Sequence, residues 1–175
     1  IRYVDSVPPI TLAFWRMFFA SIFLWVYSYK CSNSKISVEN QKRILFAGLF
    51  LGLHFAFFFI GVRNTSVANA TLLANTGPIF TALFAWYKNQ KTSLWMYAGL
   101  FCSIVGIIII QGVEIGNNNT LANFISLLSG LCIAITYLFA SKIRESTKNV
   151  VYGRSVFLVA VLQYPQYQLY LISPF

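Results

Sequence analysis

The chain is short of acids. Of its 175 residues only four are Asp or Glu, against 13 Lys or Arg, and it holds a single histidine and three cysteines. All four acids, Asp5, Glu39, Glu114 and Glu145, fall in polar segments outside the apolar runs, so the runs contain no carboxylate of the kind that relays protons inside a membrane. One histidine and four scattered acids supply no nucleophile, acid–base or metal-ligand constellation, which argues against a membrane-embedded enzyme and against a bound metal or cofactor. A retinal-type photoreceptor needs a lysine inside a late helix, and there is none. Cys31, Cys102 and Cys132 lie too far apart for ligand spacing or a paired framework, and read as a loop thiol and two small packing residues. The chain starts at Ile1 without a methionine and shows no basic-then-apolar leader, so it reads as an internal piece of a longer protein.

What is abundant is apolar. The sequence is 58% hydrophobic, 18% aromatic and 10% charged, where soluble domains carry about 25% charged residues; the solvent for this chain is lipid. A formal charge of +9 raises the question of nucleic acid. That class is excluded because the basic residues lie between apolar runs and are not gathered on one face. Six runs are candidate spans: 10–29, 44–62, 67–87, 94–110, 121–140 and 155–172. The third is about 31 Å long as a helix, enough to cross a hydrocarbon core. A short turn with Lys88 and Lys91 joins it to the fourth, so the two are expected to form an antiparallel hairpin that organises the rest. Gln163, Pro165, Gln166 and Gln168 interrupt the sixth run. The fold class is therefore all-α, a polytopic membrane helix bundle.

The loops set the orientation. Ten Lys and Arg residues fall in segments 30–43, 88–93 and 141–154, and only Arg2 and Arg63 on the other side. Positive loops stay in the cytoplasm, so those three segments are expected to be cytoplasmic. The alternation with helix parity supports the count of six spans. Three small-residue stripes, Gly48 and Gly52, Ala98-Cys102-Gly106, and Ser126-Gly130-Ala134, are spaced for close helix–helix contact. Trp86, Tyr87, Trp95 and Tyr97 flank one turn as interfacial anchors.

Polar residues inside the runs are the candidates for chemistry. Arg16 either snorkels to the interface or faces a cavity. His54 either faces a cavity, where it can shuttle protons, or bonds a neighbouring helix. At about 100° per residue, Thr65, Asn69 and Thr76 share one face of the third run, and Thr71, Asn75 and Pro78 another. One stripe is expected to face a solute and the other a neighbouring helix. Pro78 cannot donate to the Ala74 carbonyl, so a kink is expected there, hinged or static. Tyr137 and Gln163 are weaker candidates for the same cavity.

The order Arg63-Asn64-Thr65-Ser66-Val67-Ala68-Asn69-Ala70, then Asn75-Thr76-Gly77-Pro78-Ile79-Phe80, then Tyr97-Ala98-Gly99-Leu100 with Val105-Gly106, resembles the EamA-type repeat of the drug/metabolite transporter superfamily. The proline-led segment from Pro8-Pro9 to Arg16 fits the same pattern. In one departure, Gln90-Lys91 stands where the family usually has a glutamate–basic pair. The resemblance implies a ten-helix carrier of two inverted five-helix repeats, with six helices visible here. On that map 1–112 is the first repeat without its first helix, 113–120 an outer linker and 121–175 the start of the second repeat. It also implies a secondary transporter of a small organic metabolite in the cell membrane, a bacterial inner membrane by preference, working by alternating access. A structural or regulatory multi-pass protein is the alternative, and pairing with a second copy stays open. The residues assigned to the solute are Arg16, His54, Asn69, Asn75, Thr76 and Tyr137, with Gly77 and Pro78 as a hinge.

Overall fold

A computed structural model describes residues 8–31, 36–89, 93–113 and 119–164. Among them are seven helices and no strand: α1 (Pro9–Cys31), α2 (Val38–Asn64), α3 (Val67–Ala74), α4 (Gly77–Tyr87), α5 (Leu94–Val113), α6 (Thr120–Arg144) and α7 (Asn149–Leu162). Four helical segments are long and apolar enough to cross a membrane: Ile10–Tyr29, Val38–Asn64, Val67–Tyr87 and Thr120–Arg144.

Local chemistry fixes the helix ends. Pro9 opens α1, where its missing N–H is no loss. α2 begins six residues before its apolar run because Ser37 caps it, its Oγ accepting from the Asn40 N–H at 3.3 Å, and because Glu39 pairs with Arg43 one turn on. Lys42 and Arg43, expected in a loop, therefore ride on helix. α7 likewise starts at Asn149 and takes Arg154 into the helix. The expected sixth span, 155–172, is thus shifted toward the N-terminus, and its part beyond 164 lies outside the described residues, as do Pro165, Gln166 and Gln168.

The bundle is built around α2 and α6, which run antiparallel along their whole lengths. In lipid no hydrophobic gain separates a helix neighbour from a fatty-acyl chain, so close backbone approach and interhelical hydrogen bonds hold such pairs. Both occur here. Gly61 faces Ser126, the Ser129 hydroxyl donates to the His54 carbonyl at 2.9 Å, and Thr136 Oγ1 reaches the Ala47 carbonyl at 3.4 Å. At the basic end, Asn40 Nδ2 donates to Ser146 Oγ at 2.8 Å and Thr147 Oγ1 at 3.1 Å. The Gly48/Gly52 seam receives α7: Val156 and Val159 lie against Gly48, Gln163 Nε2 donates to the Gly48 carbonyl at 3.0 Å, and the Tyr164 hydroxyl donates to the Gly52 carbonyl. Gln163 is thereby occupied in a helix seam. α1 packs on α7, where Arg154 donates to the buried Ser28 at 2.7 Å and stacks over Trp25 at 4.8 Å.

Two expectations need correcting. The 67–110 hairpin is not the organising unit: α5 touches the bundle chiefly along α3, and a groove of about 330 Å³ opens between it and α4. The Ala98-Cys102-Gly106 stripe meets no helix among the described residues. Ala98 and Cys102 are exposed, and nothing lies within 4 Å of a side chain built at Gly106. The other two stripes do pack, with Ser126, Gly130 and Ala134 all buried.

Candidate functional site

The third run is not one kinked helix but two. α3 ends at Asn75, whose N–H reaches the Thr71 and Leu72 carbonyls at 3.0 and 3.1 Å, and the Thr76 N–H reaches Leu73 at 3.3 Å. Side chains complete the closure: Asn75 Nδ2 donates to the Thr71 carbonyl at 2.8 Å and Thr76 Oγ1 to Leu73 at 2.7 Å. α4 then restarts with the Ile79 N–H on the Thr76 carbonyl at 2.9 Å and Pro78 in its first turn, where the ring is tolerated. The break lies about 15 Å along the run, near the middle of a bilayer.

A cavity of about 370 Å³ sits at this break, within the roughly 300–1,000 Å³ usual for small-molecule sites. Its wall is Arg16 from α1, His54, Phe55 and Phe58 from α2, Thr71, Ala74 and Asn75 from α3 and its end, Gly77 and Pro78 from α4, and Ile133 and Tyr137 from α6. The structure brings Arg16, His54, Asn75 and Tyr137 together with Gly77 and Pro78. It places Asn69 and Thr76 elsewhere. Asn69 is buried, its N–H on Ser66 Oγ at 3.1 Å, and Thr76 is pressed against Gly130 of α6. The two faces of the run are thus divided. Thr65, which donates to Asn123 Oδ1 at 2.8 Å, and Thr76 turn toward α6, whereas Thr71, Asn75 and Pro78 face the cavity.

Arg16 does not extend along its own helix toward the interface. Its guanidinium lies over the Phe55 ring at 4.8 Å, at the cavity wall. Phe55 in turn meets the His54 ring edge-on at 4.8 Å, so Arg16 and His54 flank one aromatic ring. His54 Nδ1 is 2.9 Å from both the carbonyl and the hydroxyl of Ser129. The carbonyl only accepts and the hydroxyl proton is given to the His54 carbonyl, so Nδ1 carries the imidazole proton and Nε2 is left for the cavity. Ser129→Ala removes the hydroxyl but keeps the carbonyl that holds the ring. The expected result is a loss of about 1 kcal/mol in thermal stability with uptake retained, checked by unfolding of the purified protein beside a transport assay.

Sequence reasoning missed Thr71 as an assigned contact, the aromatic wall of Phe55 and Phe58, and Ser129 as the residue that positions His54. The available signals were the Thr71-Asn75-Pro78 face and the position of Ser129 on the same small-residue face as Ser126 and Gly130.

Fold and cavity together define a polytopic helical membrane protein with a polar chamber beside a broken helix. Residues 2–112 match the EamA-like transporter family, and the chain belongs to it. It is 28% identical over 146 residues to an uncharacterized transporter of Archaeoglobus fulgidus, covering 79% of this chain and 50% of that protein. It is 23% identical to the uncharacterized transporter YoaV of Bacillus subtilis, with 77% and 46% covered. It is 27% identical to solute carrier family 35 member G1 of Mus musculus, with 75% and 39% covered. The chain spans about half the length of the curated relatives it matches. No solved structure gives a significant match.

Proposed function

We propose that the chain is part of a secondary carrier that moves a small organic metabolite across a cell membrane by alternating access, and that the cavity at the α3–α4 break belongs to its solute path. The observation that carries this reading is the break itself, with Arg16, His54, Asn75 and Tyr137 collected around it from four places in the sequence. Discontinuous helices at mid-membrane depth form the binding sites of many carriers, because only there is irregular backbone shielded from lipid. The gathering of Lys and Arg at one end of the helices favours a cytoplasmic side there, a first repeat ending near residue 112 is in keeping with the family match over 2–112, and the bacterial relative favours a bacterial inner membrane. A structural bundle has no need of an arginine held at this depth. The test is uptake of a pooled metabolite library into vesicles holding the full-length protein. The expected result is accumulation of one compound class that Asn75→Leu reduces by at least about tenfold at equal membrane levels. Identical profiles with and without the protein would remove the carrier reading.

A further inference from the structure

The charge around the cavity has one sign. Arg16 is the only formally charged side chain in its wall, and no carboxylate lines it among the described residues. The guanidinium makes its one described contact with the face of Phe55, and the only ion pair among the described residues joins Arg43 to Glu39 at the basic end of α2. An arginine inside a span is costly unless its donors find acceptors. The neighbouring polar groups, Asn75, Thr71, Tyr137 and His54 Nε2, are neutral donors and acceptors.

We infer that this cavity takes an organic anion, its carboxylate or phosphate oxygens held by the Arg16 guanidinium. This rests on the reading of the cavity as the solute site. The planar fork of arginine matches both kinds of oxyanion, and its stacking on Phe55 at 4.8 Å orients the fork. The uncharged groups opposite are suited to the polar remainder of the solute.

Binding and transport are measured separately on the full-length protein. The binding probes are succinate and glycerol 3-phosphate, each set against its neutral analogue, succinamide or glycerol, with putrescine as a cation. The expected result is binding of at least one anion in preference to its neutral analogue, weakened about ten- to a hundredfold by Arg16→Gln. Arg16→Lys keeps the charge and recovers part of the affinity, whereas Lys42→Gln, on the exposed start of α2, leaves binding unchanged. Preference between succinate and glycerol 3-phosphate decides carboxylate or phosphate. Selective binding of succinamide, glycerol or putrescine, no anion bound at millimolar concentration, or anion binding that Arg16→Gln leaves intact would each overturn the proposal. If Arg16→Gln does not fold, the wild-type preference for anion over neutral analogue and the affinity of Arg16→Lys still decide it. Anion binding without any uptake into vesicles would sink the carrier reading alone.

Discussion

Gly130→Leu is expected to cost about 3 kcal/mol or more of stability and to leave little folded protein in the membrane. The first carbon added at Gly130 would stand 2.2 Å from Thr76 Oγ1 and 2.6 Å from the Leu73 carbonyl oxygen. Neither can yield cheaply. Leu73 is backbone, and its carbonyl already accepts from the Thr76 hydroxyl at 2.7 Å and the Thr76 N–H at 3.3 Å. The only relief is to lift the α3–α4 junction off α6, which opens the wall shared with Ile133 and Tyr137. Gly99→Leu is the matched control, because among the described residues nothing beyond its own stretch of helix lies within 4 Å of a side chain built there. It is expected to stay within about 0.5 kcal/mol of wild type. Thermal unfolding of both variants in one detergent distinguishes them; equal melting temperatures would mean that α3 and α4 do not pack on α6 as described.

Pro78→Ala is expected to lower turnover about tenfold while leaving insertion intact. Proline cannot donate to the Ala74 carbonyl, so α3 and α4 meet at a joint that has no hydrogen bond across that position. An alanine N–H restores the missing donor, and the favoured outcome is a continuous helix from Val67 to Tyr87 that carries Asn75 round with it. Carriers change shape at a few such positions, and losing one slows the cycle more than it weakens binding. The expected signature is a reduced kcat with KM little altered. Unchanged kcat would make the break a static feature.

The sequence carried four of the six expected spans well, those at 10–29, 44–62, 67–87 and 121–140, because burying twenty apolar residues in lipid is a property of composition and length. It also carried the division of the third run into two polar faces, and four of the six assigned solute contacts line one cavity with both hinge residues. Which face turned inward was not legible: Thr76 and Asn75 are adjacent, equally polar, and differ only in that Gly130 sits opposite one of them. The place of α5 was hidden for a related reason. A small-residue stripe permits close packing, but in lipid nothing in composition says whether a helix or an acyl chain fills it. Helix ends moved where capping and first-turn pairing prevailed over hydropathy, as at Ser37 and Glu39. Ser129 escaped notice because its role depends on a register between α2 and α6 that pairs it with a histidine 75 residues away.

The most direct measurement is thiol labelling at the break. In the full-length protein with Cys31, Cys102 and Cys132 replaced, Asn75→Cys and Asn69→Cys are each treated with a small hydrophilic thiol reagent, with and without the transported solute. If the cavity is the solute path, Asn75→Cys reacts readily, the reaction blocks uptake and the solute protects against it, while Asn69→Cys, on the face turned from the cavity, stays inert. Equal reaction at both positions, or uptake that continues after Asn75→Cys is fully labelled, would contradict the assignment.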